Sequence, residues 1–199
     1  MIRNMEQEIV RLRNEGKRQI HLSIYDSYTM IGDTRYEFER QKIYGRINVV
    51  LPNDFIDLPL SFAKLKYISE DRPKVIKSSK DTSIDFAFNY RPEKLNRKEV
   101  PYIAKGYAAA IRKIFPSNEF MECGTFFLDS KKEQLMSWYE YLSPDFKEKL
   151  YNLHGFLGVE GRLMQVSFHC SEAIYKMWRP AALEVFASIY SSLDRQMNP

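Results

Sequence analysis

The chain has 199 residues, 44 % of them hydrophobic and 28 % charged, with a formal charge of +4. At roughly 150 residues per domain, this is one domain with an extension, and it is long enough to bury its own core. Those figures exclude a disordered, collagen-like or disulfide-stapled chain, while an aromatic content of 14 % points to a ring-rich interior or surface.

Ile2, Met5, Ile9 and Leu12 are spaced to share one face of a charged amphipathic helix over residues 1–18, with Gly16 as its stop. This stripe either docks on the body or pairs with a second copy to form a homodimer. Residues Gln19–Tyr28 alternate as a strand, as do Arg35–Gln41 and Ile43–Leu51, and Pro52-Asn53-Asp54 supplies a turn. A helical turn is expected near Ser61–Lys66. Ile84, Phe86, Phe88 and Tyr90 then set one aromatic strand face against a polar one.

Asn96 with Glu99 forms a capping-box pattern ahead of the stripe Val100, Ile103, Tyr107, Ile111 and Ile114. Phe120–Leu128 and Gln134–Leu142 are apolar on both faces, as central strands are when both faces are covered. Tyr151–Gly158 and Arg162–Cys170 read as a hairpin about Glu160-Gly161. Gly155, Gly158 and Gly161 lack phosphate-loop spacing and read as hairpin or bulge glycines. Ser171 is expected to cap a final helix, which Pro180 should break before a longer piece from Ala181 to Leu193.

Short links between the last strands imply antiparallel pairing. The fold class is therefore α+β: an antiparallel sheet of about six strands sandwiched between helices, with an extra N-terminal helix. Residues 19–199 form a single α/β/α sandwich domain.

Specific residues then carry a resemblance. The run Tyr67-Ile68-Ser69-Glu70-Asp71-Arg72-Pro73-Lys74-Val75-Ile76, followed by Ile84-Asp85-Phe86-Ala87-Phe88, resembles the entry and aromatic strand of PsbP/DcrB-like domains. Val49-Val50-Leu51-Pro52-Asn53-Asp54-Phe55 resembles their opening strand and acidic turn. Gln165-Val166-Ser167-Phe168-His169-Cys170-Ser171-Glu172 with Trp178 resembles their last strand and C-terminal helix. The resemblance covers about residues 40–195 and implies an antiparallel sheet of about six strands between helices. It also implies a protein-binding role, because PsbP subunits, DcrB lipoproteins, Mog-type Ran-binding proteins and Eag chaperones share partner binding rather than a reaction. The matched positions set the fold and carry no functional residue across.

Among chemistry-bearing residues, the hairpin register brings His154 near Ser167 and diagonal to His169 on the polar sheet face, where two imidazoles could hold a metal if a carboxylate joined them. His169 and Cys170 point to opposite faces, and no Gly-x-Ser-x-Gly stretch supports a serine nucleophile. Cys123 and Cys170 both fall in strands and are expected as buried, reduced thiols. Trp138, Tyr139, Tyr141, Tyr151 and Phe156 are either core or an apolar groove for a partner.

From Lys64 to Lys113 there are 13 basic and 6 acidic residues, but no nucleic-acid-binding signature accompanies them. No apolar run is long enough to span a membrane, and the N-terminus has no signal-peptide pattern, so a cytoplasmic protein is expected. The functional expectation is a non-enzymatic protein- or peptide-binding module with no cofactor, chaperone- or adaptor-like in character. The alternative is a small-molecule or metal-dependent enzyme using His154 and His169.

Overall fold

The computed structural model describes residues 3–4, 23–128 and 134–191. The strands run in chain order β1 (Arg3–Asn4), β2 (Thr29–Ile31), β3 (Thr34–Tyr36), β4 (Phe38–Ile43), β5 (Ile47–Pro52) and β6 (Ile56–Asp57). Helix α1 (Leu60–Lys66) leads to β7 (Val75–Ser78) and β8 (Asp85–Lys94). A 3-10 turn at Arg97–Glu99 opens helix α2 (Val100–Ile114). Then come β9 (Glu119–Phe127), β10 (Leu135–Ser143), β11 (Leu150–Val159), β12 (Arg162–Ser171), helix α3 (Tyr175–Ala187) and β13 (Tyr190–Ser191).

The main sheet has the order β1-β9-β10-β11-β12-β8-β7-β6. Every pairing in it is antiparallel except that of β1 with β9. Of its six longer strands, β8 to β12 match expected strands and β7 is an addition that alternation does not signal, while β4 and β5, from the expected strands over 35–41 and 43–51, lie in a smaller sheet; two-residue strands border the main sheet. A second sheet, β13-β5-β4, and a hairpin, β2-β3, lie apart from it.

Strand alternation separates two apolar clusters. Met136, Trp138, Leu142, Tyr151, Met164, Val166, Phe168 and Cys170 pack with Trp178, Ala182 and Phe186 of α3. Tyr139, Tyr141, Phe156 and Leu163, which are out of phase with the first set, pack with Val100 and Ala104 of α2.

Helix α3 also touches β5, so it lies between the main sheet and the smaller one, and every residue from Trp178 to Phe186 is buried. Its polar side chains are therefore matched individually. Arg179 donates to Glu140 through Nε (2.7 Å) and Nη2 (3.1 Å), reaches Glu122 (3.0 Å) and lies over the Trp138 ring. Tyr151 donates to the same Glu140 carboxylate at 2.5 Å. Burial works against the guanidinium charge, but the Glu140 hydrogen bonds together with the charges of Glu140 and Glu122 and the nearby Tyr151 outweigh it and hold Arg179 charged. Glu184 accepts from the Ile24 amide (2.9 Å) and the Ser23 hydroxyl (3.1 Å). The Ser188 hydroxyl accepts from the Val50 amide at 2.8 Å.

Several expectations change. Helix α3 runs continuously through Pro180, because packing on all sides holds the turn that lacks the proline N–H. Ser171 ends β12 rather than capping the helix, and Tyr190 lies in β13 rather than in a longer helix. The expected strand at Ile43–Leu51 begins after a reversal at Tyr44 and Gly45, whose positive φ values (50° and 73°) form a hairpin turn. Residues 23–28 are a turn closed by Asp26 on the Ser23 amide (2.8 Å), not a strand.

The main sheet exceeds the expected size only through its short borders. Cys123 is exposed because β9 has, among the described residues, only the two-residue β1 on its outer side, whereas Cys170 is buried as expected. Arg3 and Asn4, within the span expected as an N-terminal helix, are instead paired as a strand with Phe126 and Phe127. Met5, Ile9 and Leu12 lie outside the described residues, as does Ile2. The capping box at Asn96 and Glu99 is present. Gly161 is the hairpin glycine (φ 68°), but Gly155 is mid-strand, where an added Cβ would sit 2.7 Å from Phe186 Cδ2.

Two substitutions test this packing. Gly155→Ala should lower stability by about 1–3 kcal/mol through overpacking, read as a denaturant midpoint. Arg179→Met should cost about 3–5 kcal/mol by stranding the Glu140 carboxylate, and adding Glu140→Met should recover most of that loss.

Candidate functional site

One face of the main sheet is covered by two helices that do not meet over its centre. Helix α2 covers Tyr139, Tyr141, Phe156 and Leu163. On the other side, Ala63 of α1 and the following Tyr67 cover Leu58, Ile76 and Ala87. The strip between is polar. Antiparallel register places Asn152 opposite His169, His154 opposite Ser167, and His169 opposite Asp85. His154, Gln165 and His169 are partly exposed along this strip, while Ser167 and Asn152 lie beneath it.

The strip is hydrogen-bonded in a definite order. The Asn152 side-chain amide donates to the Ser143 hydroxyl (3.0 Å) and the Leu150 carbonyl (2.9 Å). Its Oδ1 therefore faces His169 Nδ1 at 2.9 Å and accepts the ring N–H. That leaves His169 Nε2 as an acceptor, and the Ser167 hydroxyl donates to it at 2.9 Å. His154 Nε2 lies 3.3 Å from the Tyr141 hydroxyl, while its buried Nδ1 has no hydrogen-bond partner.

Both imidazoles are held neutral. Burial, then the neighbouring His169, pushes His154 down to about 3. Burial, then the Lys66 ammonium, pushes His169 down to about 4.

The α1 side supplies charge. Lys66 pairs with the buried Asp85 carboxylate at 2.7 Å and also donates to the Thr82 carbonyl. Ser78 donates to the same carboxylate. The Tyr67 ring packs edge-on against His169 (centroids 5.7 Å apart). Its hydroxyl is buried without a hydrogen-bond partner, and burial and then Asp85 keep it protonated.

The expected aromatic groove is closed. Trp138, Tyr139, Tyr141, Tyr151 and Phe156 are all buried. Trp138 and Tyr151 face α3, while the other three stack beneath α2, with Tyr107 against Phe156 at 5.0 Å. Apolar strand residues on both faces became interior because helices cover both faces.

His154 and His169 do lie side by side, their ring centroids 5.7 Å apart. Among the described residues, no third His, Cys, Asp or Glu joins them in a ligand cluster, and both nitrogens of His169 are already engaged. Sequence reasoning missed Asn152 and Ser167 as the two hydrogen-bond partners of His169. The signal was available, since the register that sets His154 against Ser167 also sets Asn152 against His169.

No family model matches the sequence, and no curated protein matches it. Solved structures do. The solution structure of cyanobacterial PsbP (CyanoP) from Synechocystis sp. PCC 6803 aligns with a TM-score of 0.56 at 10 % identity, over 77 % of this chain and 92 % of that one. The fold is PsbP-like. A protein from Bacteroides thetaiotaomicron aligns with a TM-score of 0.43 at 13 % identity, over 74 % of this chain and 45 % of its own. A Pseudomonas aeruginosa protein of unknown function aligns with a TM-score of 0.43 at 9 % identity, over 76 % of this chain and 94 % of its own. Among the described residues, no helix is long and apolar enough to cross a membrane.

The neutral histidines set a pH dependence. Their folded values lie below the ordinary 6.5, so the unfolded chain binds more protons between that value and about 4. Stability should be complete above about pH 6.5 and fall as the pH drops through that window. Urea titrations at several pH values should show a flatter dependence between pH 6.5 and 5 for His154→Gln and for His169→Gln than for the wild type.

Proposed function

We propose that this chain is a protein- or peptide-binding module, adaptor- or chaperone-like, whose contact surface is the outer face of α1. The carrying observation is an inverted helix. Ala63 is its only buried residue, while Leu60 (64 % exposed), Phe62 (50 %), Leu65 (75 %) and the following Ile68 (84 %) face outward. Solvated apolar side chains gathered on one short segment are the signature of a surface that another molecule covers. Ile56, in the border strand β6 just before this helix, is exposed as well.

The arrangement of helices about the sheet supports reading the domain as the α/β/α sandwich that the PsbP/DcrB resemblance implies. The partner binding shared by that family supports the same function. The binding surface differs from the aromatic set expected from sequence, because those rings are occupied in holding the two clusters together.

The test is a pull-down from the lysate of the native organism with wild type and with the double variant Leu65→Asp, Ile68→Asp. Wild type should retain a stoichiometric partner that the variant loses by at least about tenfold, with an unchanged circular dichroism spectrum. Equal retention by both proteins, or an empty wild-type eluate, overturns the reading.

A further inference from the structure

The Asn152–His169–Ser167 chain has more order than a structural polar cluster needs. The Asn152 amide is oriented by two acceptors, Ser143 Oγ and the Leu150 carbonyl, so its oxygen must face His169. A carboxamide oxygen only accepts, so the ring proton is fixed on Nδ1 and the lone pair on Nε2. The Ser167 proton is therefore aimed at a neutral imidazole nitrogen 2.9 Å away. A hydroxyl, a base and a third group orienting the base form the arrangement that activates an oxygen nucleophile.

We propose that Ser167 is an acyl-accepting nucleophile for small esters, with His169 as its general base and Asn152 as the positioning residue.

Access defines the substrate class. Ser167 is only 6 % exposed, and His169 beside it is largely buried, so little space is open at the serine oxygen. That burial restricts the substrate to a short, thin acyl group such as acetyl and rules out a polypeptide. The pairing of β12 with both β11 and β8 engages its backbone, so charge on the carbonyl oxygen must be met from the α1 side. Two groups lie on that side of His169: the buried Tyr67 hydroxyl, beside Asp85, and the Lys66 ammonium, which keeps one N–H beyond those it gives to Asp85 and the Thr82 carbonyl.

In the first step a bond forms between Ser167 Oγ and the acyl carbon, and the serine proton passes to Nε2. The ester C–O bond then breaks, and the leaving oxygen takes that proton as an alcohol. Water, giving its proton to Nε2, next attacks the acyl-serine. The carboxylic acid leaves and the serine hydroxyl is restored.

The groups facing His169 are His154 on β11, Asp85 on β8, and Lys66 and Tyr67 from α1. The test treats the full chain with a small alkyl fluorophosphonate and, separately, with p-nitrophenyl acetate. Expected is a single adduct on the peptide carrying Ser167 that is absent in Ser167→Ala. It should form at least about hundredfold more slowly in His169→Gln. Asn152→Asp places a carboxylate against the ring N–H and should move the pH of half-maximal labelling upward by about a unit or more, which a merely structural asparagine would not do.

The wild-type pH profile is a further readout that needs no variant. Labelling should reach its plateau well below the pH at which a free histidine titrates. No adduct on Ser167 in the folded wild type, a rate that simply follows hydroxide, or an undiminished rate in His169→Gln overturns the proposal. It does not depend on the α1 partner surface, which the pull-down tests separately.

Discussion

The ion pair between Arg179 and Glu140 is the constraint around which the molecule is arranged. From Trp178 to Phe186 helix α3 is buried on every side, so each charge in that stretch must find a partner inside the protein. Arg179 finds Glu140 on the main sheet, and Glu184, five residues on, finds the Ile24 amide in the opposite layer. Five residues turn a helix by about 500°, which sets these two side chains on well-separated faces. Only one rotation of α3 satisfies both. Such pairs add little net stability over apolar replacements, but breaking one leaves a bare charge in the core.

The aromatic richness of the sequence is a consequence of this layering. Trp178 on α3 meets Tyr36 at 4.8 Å, Phe168 at 5.8 Å and Phe55 at 6.1 Å, so one ring joins the β2-β3 hairpin, the main sheet and the loop after β5. Phe86 and Phe168 continue the contact across neighbouring strands at 4.9 Å. The other face of the sheet is treated differently. It is apolar wherever a helix lies on it and polar in the strip between, and this difference leaves hydrogen-bonding chemistry partly open to solvent while the rings are covered.

The sequence reveals β8 to β12 well, because period-two alternation and the two-residue turn at Glu160-Gly161 are local signals. The capping box before α2 is equally local. What it conceals depends on tertiary contacts. Pro180 reads as a break, yet packing from both layers carries the helix through it. Tyr44 gives no turn signal, and its positive φ is held by its hydroxyl, which donates to the Phe88 carbonyl at 2.8 Å and accepts from the Tyr90 amide at 3.3 Å. Leu60, Phe62 and Leu65 look like core residues until the small footprint of α1 shows that they are not. His154 and His169 were visible as neighbours. The same register sets Ser167 and Asn152 beside them, but that both bond to His169 depends on side-chain orientation, which periodicity does not encode.

The position of α3 along the chain bears on how the protein is made. The helix that fills the space between the two sheets is the last long element, and the strands it covers all precede it. During synthesis, Val49, Leu51, Phe86, Phe88 and their neighbours leave the ribosome well before the surface that buries them exists. The nascent chain must therefore carry two uncovered apolar layers until residue 187 has emerged, which makes it a natural client for holding chaperones. Cooperative folding of these layers then waits for that one helix rather than being spread along translation of the strands.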